Sequence, residues 1–394
     1  MATSLRFRSF LSALLLPSLL FLAPAAQAQT LPSPSHIVVL FEENYAYSQI
    51  IGSASAPHIN TICADPFAAV FTQFYAIEHP SQPNYIDVFS GGNQGVTDDN
   101  IPSTYPWTTP NLCAELLSAG KTFTTYSENL PSVGYDGGTY TAGSANYARK
   151  HNPCTNWVGT GTNQYSDAVN QPWTAFPTNY STLPTVSFVV PNMTNDMHDY
   201  TCSSLPCPES ITLGDTWLYN NLDSLRKWSI ANNTLYIIIY DEDDDNHGNN
   251  IPAIFYGPMV KAGTYTENVN LYNLLRTIED IYSLGHAGSA ATATPITDCW
   301  RTISAVNNIA ANYTFKVMPN PATNVINFSC NNPVNSRLNI SITDEKGRMA
   351  GSYAMTTNDL QVNTTDYAPG IYFYRIVNTA NNTVGEGKFV ITHN

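Results

Sequence analysis

The chain has 394 residues, enough for more than one domain, with a formal net charge of −14 at pH 7. An acidic chain without a basic patch does not bind nucleic acid as a polymer. It can act on phosphate esters only where a metal and local donors overcome its overall field.

Residues 1–28 carry Arg6 and Arg8, an apolar core from Phe10 to Leu22, and the small-residue ending Ala26-Gln27-Ala28. This is the pattern of a secretory signal peptide. A membrane anchor is the alternative, but the stretch is short and broken by Pro17 and Pro24. No later stretch reads as a transmembrane segment, so the mature protein is expected to be soluble and exported. Export permits disulfides. There are seven cysteines, an odd number, so at least one is free or pairs between chains. Cys202 and Cys207 flank a short Ser-Ser-Leu-Pro loop and form the best local pair. No CxxC pair exists, so zinc binding by cysteines is not expected.

In chain order, His36 to Phe41 is an apolar run that ends in Glu42-Glu43-Asn44. His79-Pro-Ser-Gln-Pro-Asn-Tyr85 begins a short helix, with Pro83 in its first turn and Gly91-Gly92 at its end. Ser81 then lies at a helix N-terminus, where backbone N–H groups and the helix dipole favour an anion. Taken alone, a serine there is a helix cap. Asn111 to Ala119 has helical spacing and is stopped by Gly120; Thr122 to Tyr126 reads as a strand. Residues 131–179 are rich in Gly, Asn, Tyr, Thr and Ser, and read as long loops covering a site. Asp136, His151 and Trp157 lie there; His151 could reach the site, though no motif surrounds it.

Pro184 to Val190 is a third apolar run, followed by Asn192, Asp196, His198 and Asp199. A helix over Asp215 to Lys227 leads into Thr234 to Tyr240, which reads as a strand buried on both faces. That strand runs into Asp241, Glu242, Asp243, Asp244 and Asp245. Carboxylates so dense repel one another unless a cation or solvent neutralises them. The run by itself reads equally as a metal-binding or catalytic strand end or as a solvated acidic turn. Ile254 to Tyr256 forms a short strand, and Leu271 to Tyr282 an amphipathic helix. Alternation of this kind predicts an α/β fold, a mostly parallel sheet flanked by helices. Three strands delivering ligands from one end describe an active-site rim.

Composition changes after Trp300. Residues 306–314 read as a linker, and 315–394 as a small all-β sandwich with short strands at Val325–Cys330, Leu338–Thr343, Asp359–Val362, Ile371–Val377 and Gly387–Thr392. No ligand cluster occurs there, so no catalysis is expected from it.

The tail resembles the C-terminal sorting domain of type IX secretion. The matching residues are Met318-Pro-Asn-Pro-Ala-Thr-Asn-Val-Ile-Asn-Phe328, Ile342-Thr-Asp-Glu-Lys-Gly347, Tyr367-Ala-Pro-Gly-Ile-Tyr-Phe-Tyr-Arg375 and Gly387-Lys-Phe-Val-Ile391. The resemblance implies a partner, the type IX secretion machinery, and delivery outside the cell or to its surface. An ordinary carbohydrate-binding or adhesion module is the alternative.

Residues 29–305 resemble the phosphoesterase family of bacterial acid phosphatases and phospholipases C, within the alkaline phosphatase superfamily. Phe41-Glu-Glu-Asn44, His79-Pro-Ser-Gln-Pro-Asn-Tyr85, Pro191 to Asp199, Tyr240 to Asp244 with Asn246, and Ile251 to Pro258 carry the likeness. It implies Ser81 as nucleophile and Asn84 as a phosphate-side donor, with His79 and His198 as proton donors. It implies a divalent metal ion (Mg²⁺, Ca²⁺, Mn²⁺ or Zn²⁺) on Glu43, Asn44, Asp241 and Glu242, with Asn192 and Asp196 as further ligands. The expected activity is hydrolysis of small phosphate monoesters. Rival readings are a phospholipase C-type phosphodiesterase and an inert surface-binding protein.

Overall fold

The computed structural model describes residues 31–143, 145–198, 202, 205–301, 313–330, 337–378 and 383–393. The predicted leader, most of the linker and Asp199 lie outside the described residues. The first part of the chain contains strands β1 (His36–Glu42), β2 (Ala68–Phe71), β3 (Phe74–Tyr75), β4 (Phe123–Ser127), β5 (Thr139–Ala142), β6 (Ala145–Ala148), β7 (Asn170–Pro172), β8 (Val186–Val190), β9 (Thr234–Tyr240), β10 (Ala253–Tyr256), β11 (Gly263–Tyr265) and β12 (Val269–Asn270). Its helices are α1 (Tyr47–Ile50), α2 (Pro57–Cys63), α3 (Ser81–Ser90), α4 (Leu112–Ser118), α5 (Pro208–Ala231) and α6 (Leu271–Ile281).

Eight strands form one sheet in the order β11-β2-β10-β9-β1-β8-β4-β7. All run the same way except β10, which is antiparallel to both its neighbours. Every residue of β8 and β9 is buried, as their unbroken β-branched and aromatic runs predict. The register pairs Glu42 of β1 with Tyr240 of β9. The residues just beyond, Glu43 and Asp241, therefore leave the sheet side by side. Backbone bonds hold this end: the Asp241 N–H donates to Glu42 O at 3.1 Å and the Glu43 N–H to Asp196 O at 2.7 Å.

Helix α3 carries Ser81 as its first residue and is buried along its whole length. It stops at Gly91, whose φ is +69°. A Cβ there would meet Ala287 O at 2.1 Å, so this close approach requires glycine. Tyr272 of α6 donates to Asp87 of α3 at 2.9 Å, tying the two helices. Helix α4 is capped by Asn111, whose side chain accepts from the Ala114 N–H. Helix α5 is longer at both ends than its apolar spacing predicts, and Pro208 suits its first turn. Cys202 and Cys207 are disulfide-bonded just before it, as their spacing suggests.

The C-terminal strands are β13 (Phe315–Met318), β14 (Val325–Cys330), β15 (Leu338–Asp344), β16 (Met349–Met355), β17 (Asp359–Asn363), β18 (Gly370–Val377) and β19 (Thr383–Ile391). They make two antiparallel sheets, β13-β14-β17 and β16-β15-β18-β19. Ile326, Phe328, Ile340, Ile342, Ile376 and Phe389 form a core of their own. The sequence reading missed β13 and β16. Alternate residues of β16 are exposed and its sequence is Met-Ala-Gly-Ser-Tyr-Ala-Met, too small and mixed to show the period of a strand.

Candidate active site

Ser81 sits where three chain segments meet. Its Oγ donates to Glu43 Oε2 at 3.1 Å and to Glu242 Oε1 at 3.0 Å, alternatives for a single proton. Glu43 comes from the end of β1 and Glu242 from the end of β9. Tyr85, one turn along α3 from Ser81, donates to Glu43 Oε1 at 2.5 Å. Ser81, Glu43, Asp241 and Glu242 are all buried. Burial, and then the Asp241 charge, push the Glu43 carboxyl well above the usual range. Burial and Glu242 do the same to Asp241. This is the electrostatic cost of gathering acids in a dry place.

Several atoms here lack partners among the described residues. Asp241 uses one oxygen to accept from the Glu242 N–H at 2.7 Å and the Asn44 N–H at 3.4 Å, while its Oδ2 is buried and unbonded. Asn44 Oδ1 is likewise buried without a donor, and Asn44 holds φ +51°, which keeps its backbone N–H on Asp241. His151 is fully buried between Glu43 and Asp196, with Nε2 at 3.0 Å from Glu43 Oε1 and Nδ1 at 3.3 Å from Asp196 Oδ2. Its Nε2 is not aligned for a hydrogen bond. Burial, and then Lys150, hold the imidazole pKa well below the ordinary value, so the ring is neutral. Glu43, His151 and His198 can bring ligand atoms within 4.8 Å of one another. Neutral imidazole, carboxylate and amide oxygens without partners form a donor set that fits a divalent cation.

His79 lies on the solvent side. Its Nδ1 is 2.8 Å from Glu242 Oε2 and its Nε2 3.2 Å from Asp243 Oδ1. The bond to Glu242 raises its pKa to about 9 despite partial burial, so the ring is charged at neutral pH. His198 touches Lys150, whose Nζ lies 3.0 Å from His198 Nε2 and 2.9 Å from Asp99 Oδ2.

Two predicted site residues are bonded within their own loops. The first is Asn84. Its Oδ1 accepts the Ile77 and Glu78 N–H groups at 3.0 and 3.1 Å, and its Nδ2 donates to Glu78 O at 2.7 Å. It clamps the loop that leads into Ser81. The second is Asn192. Its Oδ1 accepts from Thr194 and Asn195, and its Nδ2 donates to Asn129 at 2.7 Å, which makes it a turn residue. Asp196 stands behind His151 and accepts the His198 N–H at 2.8 Å, holding both rings. The helix start is also less open than expected. The Gln82 N–H is capped by Asp99 Oδ1 at 3.0 Å and Pro83 has no N–H, which leaves Ser81's own among the first three.

The sequence reading did not assign Tyr85, Asp99, Lys150 or a role for His151. The loops of residues 131–179 do cover the site: a 3₁₀ turn over Arg149–His151 delivers Lys150 and His151. The available signal was three consecutive basic residues, Arg149-Lys150-His151, in a stretch otherwise nearly uncharged.

Residues 58–285 match the Phosphoesterase family, and residues 316–392 the Secretion system C-terminal sorting domain. A phosphatidylinositol-3-phosphatase of Mycobacterium tuberculosis is 42% identical over 275 residues, 69% of this chain and 85% of that protein. An acid phosphatase of Aspergillus fumigatus is 31% identical over 44% of this chain, which spans only 38% of that protein. Among solved structures, an alkaline phosphatase superfamily protein from Vibrio parahaemolyticus aligns over 76% of each chain, with 15% identity and a TM-score of 0.47. Among the described residues no helix is long and apolar enough to cross a membrane. The strand-end carboxylates around Ser81 thus belong to a member of the phosphoesterase family, a hydrolase of phosphate esters that carries a C-terminal sorting domain for type IX export.

Proposed function

We propose that this chain is a secreted, metal-dependent acid phosphatase that hydrolyses phosphate monoesters through a phosphoserine at Ser81. The observation that carries the reading is the Ser81 hydroxyl, shared between two buried carboxylates from two strand ends. In the resting state Ser81 already has its proton acceptors within hydrogen-bond reach. Attack forms the Oγ–P bond and breaks the ester P–O bond, and the serine proton passes to Glu242 or Glu43. We assign the proton for the leaving alkoxide to the charged His79, held on Glu242, while His198 Nε2 accepts from Lys150. Water then attacks phosphorus as its proton passes to the histidine that protonated the alcohol, the Ser81–phosphoryl bond breaks, and Ser81 Oγ takes back a proton from Glu242 or Glu43, with His151 and Asp196 holding the inner wall.

A divalent cation (Mg²⁺, Ca²⁺, Mn²⁺ or Zn²⁺) held by Glu43, Asn44, Asp241 and Glu242 would lower the Ser81 pKa and neutralise the phosphate oxygens. The relatives' names favour a monoester over a phospholipase C-type diester. The complete buried cluster weighs against an inert binding protein, because uncompensated acids persist where they are used. The test is Ser81→Ala with p-nitrophenyl phosphate. Turnover should fall by several orders of magnitude, about 4 kcal/mol or more of transition-state stabilisation, with the fold intact. Near-normal turnover would return Ser81 to the role of a cap.

A further inference from the structure

The chain carries 30 acids against 16 lysines and arginines, yet one cavity reverses that balance. Its volume is about 290 Å³, and Arg149, Lys150, Asp99, Thr139, Ala148 and Gln82 are among the residues that line it. All the charge on this lining is two cations and one carboxylate. That carboxylate is already engaged on both oxygens: Asp99 Oδ1 accepts the Gln82 N–H at 3.0 Å, and Oδ2 accepts from Lys150 Nζ at 2.9 Å. None of Ser81, Glu43, Asp241 and Glu242 lines the cavity. It adjoins the site, because Gln82 follows Ser81 on α3, but it is a separate recess.

Arg149 decides what the recess suits. Its side chain is only 1% exposed. Nε donates to Asp136 Oδ1 at 2.6 Å, and the guanidinium carbon lies 4.6 Å from the centre of the Tyr105 ring. The Tyr105 hydroxyl donates to the other Asp136 oxygen at 2.8 Å. Ring and carboxylate together fix the guanidinium in place. Its two terminal nitrogens are buried and have no acceptor among the described residues. Charged donors left unanswered away from water are costly. Water would answer some of them but not their charge. Lys150, the next residue, spends two of its three N–H donors on Asp99 and His198 and keeps one. A fixed guanidinium fork beside an ammonium matches the oxygens of a phosphate or carboxylate. An amine or a metal ion would meet two like charges there.

We propose that this cavity is a second oxyanion site beside the reaction centre, where Lys150 and the terminal nitrogens of Arg149 take a phosphate- or carboxylate-type anion. Those nitrogens lie beneath the surface, so the anion seats under the hairpin of β5 and β6, which supplies Thr139 and Ala148 to the lining. The anion has two sources, free inorganic phosphate or a second acidic group on the substrate, and the experiment separates them. Only the second source rests on the phosphatase reading.

Crystals of the full protein are soaked in millimolar sodium tungstate, a phosphate mimic whose anomalous scattering locates it. The expected result is one peak at Ser81 and a second in the cavity, against Lys150 and Arg149. Thr139→Glu, at an exposed lining position, sets a carboxylate in the recess and should remove the second peak alone. Arg149→Met should do the same, with thermal melting to check that it folds; Thr139→Glu keeps the test if it does not. Values of kcat/KM are then compared for 3-phosphoglycerate and glycerol 3-phosphate, which differ by one carboxylate. A preference of about tenfold for the former, lost in Thr139→Glu, assigns the substrate's own acid. Equal values with the cavity peak present assign free phosphate. A cavity without a peak, or a single peak bridging Ser81 and Lys150, would overturn the second site, whatever Ser81→Ala does to turnover. An active Ser81→Ala with the cavity peak present would remove the nucleophile and leave the oxyanion site standing.

Discussion

Asp241 and Asp243 stand two residues apart in one acidic run, and both are buried. Their surroundings are opposite. Asp243 is answered by backbone: its oxygens accept the N–H groups of Asp245, His247 and Asn249, each at 2.8 Å. Asp244, next along, would be raised by its partial burial, but bonds from His247 and Gln49 lower its pKa overall. Asp241 has one oxygen with no donor among the described residues, and it sits among Glu43, Glu242 and Ser81. The two halves of this run therefore differ in how their carboxylates are answered: Asp243 by backbone N–H groups, Asp241 only on one oxygen. Burial does not separate the two carboxylates; the unanswered oxygen of Asp241 does.

The comparison predicts opposite responses to removing charge. Asp241→Asn and Glu43→Gln should each lower turnover about a hundredfold or more, the scale of losing a preorganised electrostatic contact. Both carboxyls are raised in the folded state, so ionising them costs stability as pH rises past their unfolded values. With metal chelated, each variant should therefore melt higher than the parent, by on the order of 2–4 °C at neutral pH. Adding Mg²⁺ or Mn²⁺ should raise the parent's melting temperature and leave Asp241→Asn nearly unmoved. A lower melting point for both variants would erase the distinction from Asp243.

Asp243→Asn should do the reverse. It sets an amide N–H against backbone donors and should cost about 1–3 kcal/mol in denaturant unfolding, with a smaller loss of turnover than Asp241→Asn. The smallest effect is remote from the site. Glu279 on α6 is pushed up to about 8 by burial, and its Oε1 accepts the Ala287 N–H at 2.9 Å. Its folded-state proton stabilises the fold below the unfolded pKa, and this is lost as pH rises toward 8. Glu279→Gln, which keeps the acceptor, should match the parent near pH 4 and exceed it increasingly up to pH 8 in melting temperature. Parallel curves would show that folding does not raise the Glu279 pKa.

The strands that build the rim were legible because β1, β8 and β9 are continuous apolar runs that end in polar residues. Ser81 was legible because proline and glycine bracket its helix. What the sequence did not show has a common cause. Asn84 and Asn192 have the right residue type near the right place, but an asparagine satisfies its own loop as readily as a ligand, and only the hydrogen bonds tell which. His151 and Lys150 come on a 3₁₀ turn with no periodicity, so nothing in the sequence fixes their distance from Glu43. The metal-capable group of Glu43, His151 and His198 is assembled from three separate stretches and has no linear signature.

The central claim is covalent catalysis at Ser81, and trapping the intermediate tests it most directly. The protein is mixed with a phosphate monoester, quenched in acid during turnover and digested for mass spectrometry. The same reaction is run on an ester with a chiral phosphoryl group. The account predicts a phosphoryl group on the peptide bearing Ser81, and retained configuration at phosphorus from two in-line displacements. Inverted configuration, with no phosphoryl group on Ser81, would contradict it and would mean that water attacks the ester directly.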